Sequence, residues 1–228
     1  MSLLRTASAT LVFVAAAASS ASAQTSRFEL IPQFGYTWGG ARSFRGFTQG
    51  GLDFPAGAIV AEASVSWGVT AAFNTGHGGN FTIMYQRQDT DLRIDWRQTP
   101  PAAIDAKTGF ATNAVIFGYR QDFAQSRAQK LVPYLGFGIG FNIFDVKAEQ
   151  ISSDTYFTMS PHGGVRYMLG GDARRSRLGL QVDLRGLFTF VPDGTVQIWC
   201  NWWGFCAASE GVTSVSQGTI SGGVIVKF

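Results

Sequence analysis

Apolar and polar residues alternate one for one over long stretches of the chain. In Arg27-Phe-Glu-Leu-Ile-Pro-Gln-Phe-Gly-Tyr-Thr-Trp38, one side carries Phe28, Leu30, Pro32, Phe34, Tyr36 and Trp38. The other carries Arg27, Glu29, Ile31, Gln33, Gly35 and Thr37. A period of two is that of an extended strand whose two faces meet different surroundings. Residues 58–73 repeat it, with Ile59, Ala61, Ala63, Val65, Trp67, Val69, Ala71 and Phe73 set against Glu62, Ser64, Ser66, Gly68 and Thr70. Further runs at 80–92, 110–123, 131–146, 157–169, 178–190 and 217–228 bring the predicted strands to eight.

Strand length separates lipid from water as the surrounding medium. Strands of soluble sheets run about 5 to 6 residues, whereas a tilted membrane-spanning strand needs about 9 to 11. The predicted connections also alternate in size. Those at 74–79, 124–130 and 170–177 are short, and those at 39–57, 93–109, 147–156 and 191–216 are mostly longer. Short turns at one end and long loops at the other are the pattern of outer-membrane barrels. Inside a bilayer every backbone polar group must pair within the protein, so such strands have to close on themselves. A soluble β-sandwich would explain the alternation but neither the length nor the low charge.

Composition points the same way. Charged residues are 14% of the 228 and aromatic residues also 14%, against roughly 25% charged in soluble globular domains. The formal charge of +3, reduced by one if Arg5 is removed with a leader, is too small to mark a nucleic-acid partner. At the N-terminus, Arg5, the apolar run at 11–18 and the small residues Ala21-Ser-Ala23 have the form of a secretory signal peptide. The expected organisation is therefore a cleaved signal at 1–23 and one domain at 24–228.

The two faces predict where each residue class lies. Phe28, Phe73, Phe81, Phe123, Tyr167 and Phe228 would form an aromatic girdle at the turn end. Tyr36, Trp38, Phe157, Phe188 and Phe190 would form one at the loop end. Glu29, Glu62, Arg120, Arg166, Asp183, Arg185 and Lys227 fall on the opposite face, where water or countercharges are needed, and mark the lumen. Distance from the turn at 170–177 predicts that Arg166 faces Asp183. Closure predicts Lys227 with Glu29, and Glu62 would join Arg185 higher up. Interlocked, these charges plug the barrel; otherwise they line a narrow polar channel.

The C-terminal Ser221-Gly-Gly-Val-Ile-Val-Lys-Phe228, the opening Phe28-Glu-Leu-Ile-Pro-Gln-Phe-Gly-Tyr36 and the central Val132-Pro-Tyr-Leu-Gly-Phe-Gly-Ile-Gly140 resemble the small bacterial outer-membrane β-barrel domain family, the OmpA/OmpX/OmpW-like barrels. The resemblance spans the mature chain and implies an all-β, eight-stranded antiparallel up-and-down transmembrane barrel in the cell outer membrane. It implies lipid and lipopolysaccharide as surroundings, and a barrel-assembly machinery that reads Phe228 with Val226 and Val224. The chain would lack the periplasmic C-terminal domain that some members carry.

Several motifs invite chemistry. Gly136-Phe-Gly-Ile-Gly140 lacks the helix that a dinucleotide fingerprint requires, since Phe141-Asn-Ile-Phe144 continues the strand. Its glycines read as room for bulky neighbours such as arginines. Ser160 and His162 share a strand face and raise a nucleophile and base, though a hydrogen-bonded lumen histidine is the simpler reading. His77 sits in a Gly-rich turn, and Arg174-Arg-Ser-Arg177 reads as a solvated basic turn. Two histidines and one close cysteine pair do not make a metal site, and no cofactor is expected.

Ile198-Trp-Cys-Asn-Trp-Trp-Gly-Phe-Cys206 holds both cysteines, in the last long loop. After export, Cys200 and Cys206 are expected to form a disulfide. Trp199, Trp202, Trp203 and Phe205 are expected to cap the loop, touch the outer-leaflet interface or offer a contact surface, in that order. The expected function is structural and surface-interacting, adhesin-like, and carried by extracellular loops that meet an outside ligand or surface. A small porin-like channel for ions or small, hydrophobic solutes is the alternative, and a lipid-modifying enzyme ranks third.

Overall fold

The computed structural model describes residues 28–44, 47–49, 52–76, 78–99, 108–124, 129–146, 153–169, 177–191, 199–200, 206–207 and 213–228. The predicted signal, His77, Arg174, Arg175, Trp202, Trp203 and Phe205 lie outside them. Eight long strands make the wall: β1 (Phe28–Gly39), β2 (Ser64–Gly76), β3 (Gly79–Trp96), β4 (Thr108–Asp122), β5 (Leu131–Val146), β6 (Asp154–Leu169), β7 (Leu178–Val191) and β8 (Thr213–Lys227). Each pairs antiparallel with the next, and β8 pairs with β1, so the sheet closes. Among the described residues no helix is long and apolar enough to cross a membrane.

The residues opposite one another show how the wall is wound. From Gly35, partners run through Ser66 and Gln88 to Thr112 on β4. In the other direction they run through Ser221, Asp183, Gly164 and Tyr134 to Asp122 on the same strand. The row returns ten residues displaced, 122 against 112. That stagger ties the strands to a steep tilt, and with eight strands it leaves an interior just wide enough for side chains to fill.

The alternation sorts residues as lipid would. Phe34 is 69% exposed, and Leu135, Val182, Leu184, Ile139 and Phe141 are exposed with it, whereas Gln33, Thr37, Ser66, Arg120 and Asp183 are buried. This is the reverse of a soluble domain. Aromatic residues gather at the turn end, where the Phe28 ring lies 5.2 Å from Phe73 and 5.7 Å from Phe228, and Phe81 lies 5.7 Å from Tyr119. At the loop end, Phe157 and Phe190 are 6.0 Å apart, and Tyr36 and Trp38 are exposed.

One predicted strand is not continuous. Residues 58–73 divide at Glu62–Ala63 into a short strand, Gly57–Ala61, and β2. The short strand pairs with the upper part of β3 and with Ala41–Phe44, which lies within the predicted first loop. Ala61 lies opposite Leu92 while Ser66 lies opposite Gln88, an offset of one residue. A one-residue slip exchanges the two faces of a strand. Ala61 and Ile59, expected outside, therefore pack with Leu92, Phe110 and Val146 in an apolar cluster at the loop end.

Candidate functional site

The lumen concentrates the buried polar chemistry of the described residues, arranged in layers. Nearest the turn end, Glu29 on β1 accepts from three cations. Arg120 Nη2 donates to Glu29 Oε2 at 2.8 Å and Arg166 Nη2 to the same oxygen at 2.6 Å, while Lys227 Nζ lies 3.5 Å from Oε1. Asp122 ties the two arginines together, accepting from Arg120 Nε at 2.9 Å and also from Arg166 Nη1. Asn80 Nδ2 donates to Asp122 at 3.3 Å, and the Arg120 guanidinium lies over the Tyr134 ring, 5.6 Å from its centre.

A second cluster lies further up. Asp183 accepts from Tyr134 Oη at 2.5 Å and from Arg185 Nε at 3.1 Å, and Arg185 Nη1 donates to Ser160 Oγ at 3.3 Å. Nearer the loops the chemistry becomes neutral. Thr37 Oγ1 is 2.8 Å from Thr219 Oγ1 and donates to Ser66 Oγ at 2.9 Å, while Gln217 Nε2 donates to Gln88 Oε1 at 3.1 Å. Apolar groups fill the remaining interior: Ile31, Met168 and Ile225 form one cluster, and Met84, Ala114, Ile116 and Leu187 another.

No family model matches this sequence, and no curated protein matches it. Solved structures do. Neisserial surface protein A covers 88% of this chain and 97% of its own, with a TM-score of 0.53 at 18% identity. The outer membrane protein OprG of Pseudomonas aeruginosa covers 90% and 97%, with a TM-score of 0.59 at 10% identity. The chain has the fold of these outer-membrane β-barrels.

In this barrel, six of the seven charges expected in the lumen are on inward-facing strand positions, but not all with the expected partners. Arg166 lies opposite Gln181, and Asp183 opposite Gly164. Arg166 therefore reaches across the lumen to Glu29 and Asp122, and Asp183 is held by its own strand neighbour Arg185 and by Tyr134. Lys227 does stand opposite Glu29. Glu62 sits at the break in the wall, where its backbone nitrogen donates to Asp91 O and its carbonyl accepts from Thr90 Oγ1. Arg185 bonds Asp183 and Ser160 instead of meeting it.

Asp122 and Tyr134 are the members that sequence reasoning missed. Both were accessible by parity, since Asp122 is two residues from Arg120, and Tyr134 shares a face with Gly136. That glycine lies opposite both Arg120 and His162, and a Cβ on it would overlap the His162 ring. Ser160 and His162 do not form a nucleophile and base: His162 Nδ1 lies 3.3 Å from the Ser160 carbonyl, and the hydroxyl is turned to Arg185. Among the described residues no cluster has the makings of a metal site.

At the ends of the chain's last hairpin, Val224 is exposed on the outer face of β8, whereas Val226, on the same face by parity, is covered between Leu30 and Leu178. In the last loop, the backbones of Trp199–Cys200 and Cys206–Ala207 form a two-stranded ladder with Cys200 opposite Cys206.

Proposed function

We propose that this outer-membrane barrel is closed to ions and serves a structural, surface-interacting role through its loop end. The observation that supports this reading most directly is the cluster in which Glu29 and Asp122 bind Arg120 and Arg166 from strands on different sides of the lumen. A bidentate guanidinium bridge of this kind spans the lumen between strands, and the apolar clusters occupy interior beside it. The exposed apolar face of the wall meets lipid and lipopolysaccharide, and Val224 and Phe228 present the C-terminal signal to the barrel-assembly machinery.

Planar-bilayer recording tests closure. Wild-type protein is expected to give no stable openings, and Arg166→Ala, which removes one of the two arginine bridges between Glu29 and Asp122, is expected to give brief ones. Stable ion-sized openings in the wild type would replace this reading with the porin-like one. Deleting 195–212 is expected to abolish adhesion of protein-coated beads to cell surfaces while leaving the barrel folded.

The same loop carries the proposed disulfide between Cys200 and Cys206, which lie opposite each other in its ladder. Non-reducing peptide mapping should recover the two cysteines as one linked fragment, and reduction should cost about 2 kcal/mol of loop stability. Recovery of two alkylated thiols from untreated protein would show that the loop is held without the crosslink.

A further inference from the structure

Between the two girdles the outer face of the wall is free of charge with one exception. Among the described residues, Arg87 on β3 is the only charged side chain there. It lies opposite Trp67 on β2, which lies opposite Phe34 on β1. Rows of opposed residues climb toward the loop end from β1 to β4, ten residues in a circuit of eight strands. Two strands along that climb, Arg87 stands between two and three residues above Phe34. That is level with Tyr36 and short of the girdle residue Trp38.

Its neighbours hold it in a polar cluster built from two strands. Arg87 Nε and Nη2 both donate to the Asp89 carboxylate, at 2.8 Å each. Arg87 Nη1 donates to Asn113 Oδ1 on β4 at 3.3 Å, and Tyr85 Oη donates to the same oxygen at 2.9 Å. The Trp67 ring meets Tyr85 edge-on, 5.7 Å between centres. Both Nδ2 hydrogens of Asn113 remain without an acceptor among the described residues. They lie on the same outer face as the Asp89 carboxylate, which is 44% exposed. Free donor and exposed acceptor stand side by side, so the cluster is complementary to itself.

We propose that this patch is a contact between two copies of the chain, related by a two-fold axis along the membrane normal that passes between β3 and β4. Such an axis brings β3 of one copy against β4 of the other. Asp89 is two residues above Arg87, and Asn113, opposite Arg87 and one strand further along the climb, is little more than one above it. Asp89 and Asn113 therefore share a level to within a residue. The Asn113 amide of each copy donates to the Asp89 carboxylate of the other, and the bond is made twice. Polar groups hold spanning segments together in this way because hydrocarbon offers them no partner. The exposed rings of Trp67 and Phe34 flank the centre, as aromatic residues do in protein contacts. An anionic lipid headgroup fits less well, because Asp91 and Asp145 lie on the same outer face just above, opposite Gly109 and Ala111. The pairing stands independently of closure of the lumen and of any role for the loops.

Energy transfer between donor- and acceptor-labelled copies of the full-length mature barrel tests this, in phosphatidylcholine vesicles with lipid in large enough excess to make chance encounters negligible. Wild type should show transfer that unlabelled wild type competes away. Asn113→Leu should weaken association about tenfold, roughly threefold for each of the two equivalent bonds, and Asp89→Leu should do the same. Val182→Leu, on the far side of the wall, should leave association unchanged. Wild-type transfer no greater than chance would overturn the proposal, and that measurement decides alone if the variants do not fold. Undiminished transfer in a folded Asn113→Leu barrel would also overturn it. Single wild-type barrels that retain added lipopolysaccharide only while Arg87 is present would assign the patch to a lipid headgroup instead.

Discussion

Glu29→Ala is expected to destabilise the barrel by about 3 to 5 kcal/mol, the range for stripping one partner from a buried ion pair. The effect belongs at the upper end of that range, because a single carboxylate here faces Arg120, Arg166 and Lys227 together. Asp122 would be left to balance them alone in the turn-end cluster, with side chains that stay 3% exposed or less on both arginines. Urea unfolding of the protein in phosphatidylcholine vesicles, followed by tryptophan fluorescence, gives the measurement. Glu29→Gln should fall between wild type and alanine, since it keeps acceptor capacity and loses the charge.

A double-mutant cycle sharpens the result. Adding Arg120→Ala to Glu29→Ala removes one of the stranded cations, so the double variant should be more stable than the sum of the single losses predicts. Full additivity would mean that the two groups are solvated independently, and a loss below about 1 kcal/mol for Glu29→Ala would mean that the cluster contributes little to closure.

Leu184→Arg is expected to cost about 2 to 4 kcal/mol, as arginine does near the midplane on the lipid face of a barrel. Leu184 is 58% exposed, and in a soluble protein an arginine at such a site would be close to neutral. Its chain neighbours Asp183 and Arg185 are buried charges, so one step along the backbone exchanges lumen for hydrocarbon. The same unfolding assay applies, with Ser214→Arg, at an exposed position opposite Phe190 of the loop-end girdle, as the comparison. Equal midpoints for the two variants would contradict the placement of Leu184 on a lipid-facing surface.

Strand number, facing and girdles were legible because lipid and lumen impose opposite demands on alternate residues, and Phe34 beside Gln33 or Leu184 beside Asp183 shows those demands directly. Register was less legible. Counting outward from the turn at 170–177 set Arg166 against Asp183, but a turn's outline in sequence does not say where its ladder begins, and the true partner of Arg166 is Gln181. The slip at Glu62–Ala63 escaped notice because small residues such as Ala61 fit either face. Asp122 shares its strand face with Arg120, but nothing in the spacing of residues along the chain shows that Arg166 reaches it across the lumen.

The ten-residue return of each row also makes closure a condition of parity. Residues opposite one another share a face, so a circuit of the wall must come back displaced by an even number, or lumen and lipid would trade places at the β1–β8 seam. A single added residue within the closed ladder must therefore be absorbed locally as a bulge, or it would turn the rest of its strand inside out. The odd steps among the described strands lie near the two ends of the wall: one at Glu62–Ala63, beside the loop-end extension of Gly57–Ala61 with Ala41–Phe44, and one between Asn74 and Gly76, at the turn end of β2. Changes of chain length are thus gathered at the two rims, where the fewest residues have to keep their face.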